Sequence, residues 1–328
     1  MIDKFSEFEI IRRHFVPLSS GARGAENLKD DVSILDISPN SVPVVSVDTM
    51  VGGIHFFLDD PPAHLAKKLL RVNLSDLISS GAKPVGYFLS ISLPEGVGNQ
   101  WITDFADGLK SEQDLQKILL YGGDTTSTPG PISLSITAFG EVPSKLIVRR
   151  SSARLGDFVY VTGTIGAASV GLYLIKKLGM KVAMENASFA VSRYREPPLL
   201  LDVAKLLRGR ANAAIDISDG LLADAGHICS ASEVAMEIDF NSLPLSPEMH
   251  LMLENQPKLK NIIPSGGDDY EILFCASEEN GQNITEDCKT IGIEVSKIGR
   301  VIPGQCEVKI VDGDGKRMLF ETMGWEHF

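Results

Sequence analysis

The apolar residues of this chain fall into short runs of two different periods, and that mixture restricts the fold more than any other feature. Val42 to Val47, Val85 to Leu93, Ile132 to Val142 and Asp157 to Thr162 read as strands, with Val32 to Ile37 as a further candidate. Ala213 to Ile217, Val234 to Asp239, Tyr270 to Cys275 and Val295 to Val301 read the same way. Pro61 to Ser80 instead places Leu65, Leu69, Val72 and Leu77 on roughly one stripe, begins at a Pro-Pro pair and stops before Gly81, which predicts a helix. Glu7 to Phe15 and Trp101 to Leu120 also read as helices, and Ser19 to Asn27 as a loop. No regular strand-helix-strand rhythm emerges, so the expected class is α+β rather than a doubly wound parallel sheet.

A length of 328 residues exceeds what one hydrophobic core usually supports. The basic, polar segment Arg149-Arg150-Ser151-Ser152-Ala153-Arg154 is the natural place for a boundary, giving expected domains 1–149 and 150–328. The N-terminal residues are mixed in charge, and no run approaches the ~18 apolar residues of a membrane span. A cytoplasmic location without membrane contact is therefore expected. The net charge of −12 argues against an extended nucleic-acid surface. Cys229, Cys275, Cys288 and Cys306 are too widely spaced for a disulfide framework or a zinc pattern.

Aspartates recur beside small residues at expected element ends: Asp30-Asp31, Ser46-Val47-Asp48-Thr49, Asn73-Leu74-Ser75-Asp76, Gly122-Gly123-Asp124-Thr125-Thr126 and Asp216-Ile217-Ser218-Asp219-Gly220. Each such motif alone is more often a cap or a turn than a metal site. Carboxylates ~5 Å apart repel by about 3 kcal/mol at an effective dielectric of ~20, so a converging set calls for hard cations such as magnesium. Taken together, the motifs favour metal binding. Gly122-Gly123 suits either close approach to a phosphate or a plain turn, and Gly163-Thr164-Ile165-Gly166 reads as an ordinary strand-to-helix turn. Neither a G-x-x-x-x-G-K-[ST] loop nor an H-R-D and D-F-G pair occurs. Asp312-Gly313-Asp314-Gly315 begins like a calcium loop, but the twelfth position is Met323, which leaves a hairpin turn.

These motifs, with His55-Phe56, Val161-Thr162-Gly163-Thr164, Ile215 to Leu221 and Gly266-Gly267-Asp268-Asp269-Tyr270-Glu271, resemble in order the thiamine-monophosphate kinase family. The resemblance covers nearly the whole chain, and the ending Gly324-Trp325-Glu326-His327-Phe328 is similar to that branch of a superfamily that also holds aminoimidazole ribonucleotide synthetase and selenophosphate synthetase. It implies an ATP-dependent kinase making thiamine diphosphate, as a homodimer whose domain 1–149 binds ATP and magnesium and pairs through its β surface. Implied Mg2+ ligands are Asp31, Ser46, Asp48, Asp76, Asp124, Asp216 and Asp219. ATP would meet Gly123, Asp124, Arg150 and Ser218; thiamine monophosphate would meet His55, Asp268 and Trp325. Asp48, Asp124 and Arg150 would carry catalysis.

Blander readings stand beside three of these: a capped loop histidine for His55, a surface salt bridge for Arg150, a tail anchor for Trp325. The chain departs from the family's usual pattern at Asn27-Leu28-Lys29, where Gly-x-Gly is usual, at Val47, where Thr is usual, and at Asp268, where Glu is usual. Two rivals remain, another ATP-using enzyme of the superfamily and a non-catalytic nucleotide-binding protein. The absence of an early cysteine and of a C-terminal one disfavours the selenide and hydrogenase-maturation branches.

Overall fold

Four of the β-rich runs join in one sheet: β1 (Ser41–Val51), β2 (Lys83–Pro94), β3 (Leu119–Thr128) and β4 (Ser133–Pro143), in the order β1-β4-β2-β3. This is seen in a computed structural model, which describes residues 5–325; Glu326, His327 and Phe328 of the C-terminal motif lie outside the described residues. Contacts divide the chain into two units, one running through Leu77 together with Ala82–Lys145, the other comprising Ile78–Gly81 with Leu146 onward.

In the first unit β4 pairs antiparallel with β1 and β2, whereas β2 and β3 run parallel and are connected through a helix. The helices are α1 (Glu7–Ile10), α2 (Pro62–Ser79) and α3 (Asn99–Gln116). Ser6 and Glu9 form a reciprocal capping box at α1, which continues into a π turn at Ile11–Phe15. Leu65, Leu69, Val72 and Leu77 of α2 are buried as the stripe requires, and Ala66, Leu70, Leu74 and Ile78 widen the buried face, which also takes in polar Lys68, Asn73 and Ser75. A two-pronged ion pair, Arg71 Nε and Nη2 to the Glu112 carboxylate at 2.9 and 3.0 Å, ties α2 to α3.

Three expectations are corrected here. The helix expected over Trp101 to Leu120 stops at Gln116, because Lys117 takes a left-handed conformation (φ 56°) and Ile118 folds back onto the Gln113 carbonyl. Val32 to Ile37 is irregular chain rather than strand, held by Ile34 N donating to Gly24 O. The expected loop from Ser19 to Asn27 runs into short 3-10 turns within Arg23–Leu28 that a left-handed kink at Glu26 and Asn27 interrupts. Consequently Asp48 and Asp124 lie inside long strands and not at element ends, and Gly122-Gly123 is not a turn.

The second unit holds β5 (Phe158–Thr162), β6 (Ala213–Asp216), β7 (Ala235–Asp239), β8 (Ile272–Ala276), β9 (Val295–Ile302) and β10 (Val308–Val311). Their order is β10-β7-β9-β5-β8-β6, antiparallel except for β10 with β7. Every residue of β6 and β8 is buried, which explains why they read as continuous apolar runs. Helices α4 (Ala167–Leu178), α5 (Met180–Asn186), α6 (Ser188–Arg195), α7 (Leu201–Leu207) and α8 (Leu221–Ser232) belong to this unit. So do α9 (Pro247–Asn255), α10 (Leu259–Ser265) and α11 (Glu278–Thr290). Asp312 to Lys316 is a hairpin turn, as expected. Cys229, Cys275 and Cys288 are buried thiols, and Cys306 is an exposed one. Both units mix strands with helices in the α+β manner.

The glycine at 123 is dictated by packing: a Cβ there would stand 1.8 Å from the Leu89 carbonyl oxygen on β2. Gly123→Ala should therefore destabilise the protein by about 1–3 kcal/mol, the usual range for overpacking. Gly226 of α8 has nothing within 4 Å of the same added atom, and Gly226→Ala should stabilise by about 0.5–1 kcal/mol. Urea midpoints of the two variants, moving in opposite directions from wild type, check both.

Candidate active site

Along β1 the alternation of side chains sends Ser46 and Asp48 to the same face. Asn73 of α2, completely buried, holds that strand: its Oδ1 accepts from Asp48 N at 2.9 Å and its Nδ2 donates to Leu69 O at 2.8 Å. Three residues on, Asp76 accepts the Ser46 hydroxyl through Oδ2. Ser46, Asp48 and Asp76 are thus brought together by one helix face and one strand face.

A second feature of the first unit is a cavity of about 330 Å³. Phe15, Leu28 and Phe88 make part of its wall apolar, while Asp30, Asp31 and Asp124 make another part acidic. Gly122 and Gly123 expose backbone to it. The departure from Gly-x-Gly falls at its edge, where Glu26, Asn27 and Leu28 hold φ of 45°, 54° and 57°. This backbone takes the left-handed form that glycine adopts without cost, at about 1 kcal/mol or more per residue here. In register Asp48 aligns with Ile136, Leu89 and Gly123 across the sheet. Three strand spacings, on the order of 14 Å, therefore separate β1 from the strand bearing Asp124.

His55 is held in the loop after β1, with Nδ1 accepting from Val51 N at 2.9 Å. This bond orients the ring. Val47 is 57% exposed.

In the second unit β6 ends at buried Asp216, and the chain turns through Ile217-Ser218-Asp219-Gly220 into α8. Asp268 N donates to Ser218 O at 2.9 Å and Trp325 N to Asp219 O at 3.0 Å, so both hang from neighbouring carbonyls of one turn. The close approach requires Gly267, whose added Cβ would lie 2.2 Å from Ser218 O. Asp216, Ser218, Asp219, Asp268 and Trp325 therefore gather at the end of β6. Arg150 is exposed on a 3-10 turn, its carbonyl accepting the Ser232 hydroxyl of α8 at 2.8 Å.

Residues beyond the assigned set hold this turn. Asp224 accepts from Asp219 N at 3.0 Å and Gly220 N at 3.1 Å; burial, with Asp219 adding, pushes its carboxyl up to about 7. An acidic residue in the first turn of a helix is the one signal that points to it. Asp269 accepts from Gly166 N at 2.6 Å and Ala168 N at 3.2 Å, and Glu271 from the Thr162 hydroxyl at 2.7 Å, Thr164 N at 3.3 Å and Arg193. Burial raises the Glu271 carboxyl against the opposing Arg193 charge.

Residues 29–142 match the family described as AIR synthase related protein, N-terminal domain, and residues 154–311 match its C-terminal domain. The chain is 35% identical over 326 residues to thiamine-monophosphate kinase of Escherichia coli K12, covering 98% of each protein. The crystal structure of thiamine-monophosphate kinase from Stenotrophomonas maltophilia K279a is similar with a TM-score of 0.83 and 34% identity, over 97% of this chain and 98% of that one. A structure described as AaThiL complexed with AMPPCP and TMP is similar at 0.77 and 30% identity, over 98% of this chain and 97% of that one.

Burial pushes the Asp269 carboxyl up to about 7, against about 3.9 in an unfolded chain. The folded protein thus holds this proton more tightly, so its stabilising contribution is full at low pH and is lost as pH rises from about 4 to about 7. Asp269→Asn removes that titration. The melting temperature of wild type minus that of Asp269→Asn should fall as pH is raised from about 5 to about 8, whereas a constant difference would mean that Asp269 does not titrate there.

Proposed function

The chain belongs to the thiamine-monophosphate kinase family, and from that premise we propose how its residues carry out ATP-dependent phosphorylation of thiamine monophosphate to thiamine diphosphate. The observation that carries the reading is the cavity of the first unit, apolar at Phe15, Leu28 and Phe88 and acidic at Asp30, Asp31 and Asp124. That pattern suits a flat base at one end and cation-bound phosphates at the other. An AMPPCP and TMP complex of a relative supports both substrates.

The donors fit magnesium. Ser46, Asp48 and Asp76 form an all-oxygen group, as do Asp31 and Asp124 at the cavity, and Asp216 and Asp219 in the second unit. Oxygen-only sets suit a hard cation, and several ions are implied because one cannot span the distance from β1 to Asp124. Magnesium, when bound, would neutralise and align the phosphates. In our reading Gly123, Asp124, Arg150 and Ser218 meet ATP, and His55, Asp268 and Trp325 meet thiamine monophosphate. Asp48, Asp124 and Arg150 carry catalysis in this reading, Asp48 and Asp124 by holding separate cations and Arg150 by its charge. The acceptor phosphate oxygen is already ionised at neutral pH, so no residue need act as its general base. What the chain contributes is alignment and charge.

The same reading takes residues 1–149 as the ATP- and magnesium-binding, dimerising domain and 150–328 as its partner domain. Homodimer formation is supported by β1, an edge strand of its sheet that leaves Val45 and Val47 56% and 57% exposed. A cytoplasmic location fits a chain in which, among the described residues, no helix is long and apolar enough to cross a membrane.

Asp48→Asn and Asp124→Asn should each lower kcat by orders of magnitude without lowering the melting temperature in the absence of magnesium, since each removes charge from a repelling set. A variant that melts well below wild type would be a structural cap. Trp325 is 49% exposed, and in this reading its indole face meets a cationic thiazolium ring, an interaction of about 1–2 kcal/mol when desolvated. Trp325→Ala should raise KM for thiamine monophosphate roughly 5- to 30-fold with KM for ATP nearly unchanged. Parallel rises for both substrates would return Trp325 to the role of tail anchor.

A further inference from the structure

The turn Gly163-Thr164-Ile165-Gly166 follows a strand and opens α4, a position whose N–H groups receive phosphate in many folds. Here those groups are already engaged by the protein itself. Gly163 N donates to Glu294 O at 2.9 Å and Ile165 N to Pro244 O at 2.9 Å. Thr164 N donates to Glu271 Oε1 at 3.3 Å, while Gly166 N and Ala168 N donate to the two oxygens of Asp269 at 2.6 and 3.2 Å. The acceptor at the start of α4 is thus a side chain of this protein. Glycine at 163 makes room for another: an added Cβ would lie 2.0 Å from Glu271 Oε1.

The segment that supplies these carboxylates is strained in an alternating way. Asp268 and Tyr270 hold φ of 72° and 49°. Left-handed backbone at such residues costs about 1–3 kcal/mol each and persists only where the surroundings impose it. The residues between and after them, Asp269 and Glu271, are 3% and 1% exposed and are fastened to β5, the Gly163 turn and α4. Arg193 of α6 compensates the Glu271 charge. Each left-handed residue is therefore followed directly by a buried carboxylate whose hydrogen bonds fix the chain direction.

We propose that Asp269 and Glu271 are positioning residues that hold left-handed Asp268 in the substrate site by fastening its loop to the Gly163 turn and the start of α4. The proposal rests on the reading of Asp268 as a thiamine-monophosphate contact. It also predicts selectivity, because the Asp219–Gly220 turn has its own clamp in Asp224. Loosening the Asp269 side removes one support of Asp268, whose backbone N–H still meets Ser218 O, while the Asp219–Gly220 turn keeps its bonds to Asp224.

The test is a double-mutant cycle read by steady-state kinetics, each substrate varied in turn, on variants confirmed folded by melting. Asp268→Ala and Asp269→Asn should each raise KM for thiamine monophosphate about tenfold and leave KM for ATP within about twofold. The double variant should be no worse than Asp268→Ala, because Asp269 acts only through Asp268. Glu271→Gln, which keeps an acceptor for the Thr162 hydroxyl, should repeat the pattern and serves if Asp269→Asn fails to fold. Additive effects in the double variant, or equal losses for both substrates, overturn the proposal. A rise in Asp268→Ala without one in Asp269→Asn or Glu271→Gln overturns it while sparing the reading of Asp268. Unchanged KM in Asp268→Ala removes Asp268 from the substrate site and the proposal with it.

Discussion

Carboxylates kept out of water are costly unless donors surround them, and the second unit answers that constraint with its own backbone. Asp224 takes the N–H groups of Asp219 and Gly220, and Asp269 those of Gly166 and Ala168. Glu271 adds a hydroxyl, a further N–H and a guanidinium. The same bonds that make these acids tolerable fix the turns carrying Ser218, Asp219 and Asp268. Placement of the candidate residues on these turns thus follows from satisfying buried carboxyl groups. Trp325, suspended from Asp219 O, inherits its position from the same turn.

The first unit solves a related problem with neutral groups. Asp48 stands on an edge strand, and its N–H is met by the Asn73 carboxamide. The hydroxyl of Ser46 donates to the Asp76 carboxylate. The cluster of Ala22, Ala25, Tyr121 and Phe139, with Leu28 and Phe88 against it, supplies part of the acidic cavity's apolar wall. Tyr121 and Phe139 meet edge to face at 4.9 Å, which fixes the floor on which Gly122 and Gly123 lie.

Strands such as Ser41–Val51 and Ser133–Pro143 and the helix Pro62–Ser79 are legible because their apolar spacing matches one period throughout. Leu119–Thr128 is not, since Ile118, Leu119 and Leu120 prolong the preceding helical pattern and paired glycines suggest a turn. Only the closeness of β2, felt through Leu89 O, makes glycine right for a strand there. The aspartates of the motifs are likewise visible as a set, but the residues that hold them are not. Asn73 reaches Asp48 across 25 positions and Asp269 reaches Gly166 across 103, and no local pattern announces such pairings. Short helices such as α5, α7 and α10 escape for a simpler reason: at seven residues each, periodicity has almost no room to express itself.

The central claim is that this arrangement delivers the γ-phosphoryl group of ATP to a phosphate already carried by thiamine. The most direct measurement is ADP formation with magnesium present, followed in parallel with thiamine monophosphate, with thiamine and with no acceptor. The account predicts ADP in step with thiamine diphosphate in the first reaction and only background in the other two, because a hydroxyl acceptor, unlike an ionised phosphate oxygen, must lose a proton to be phosphorylated. Equal ADP release in all three, or faster turnover with thiamine, would contradict it.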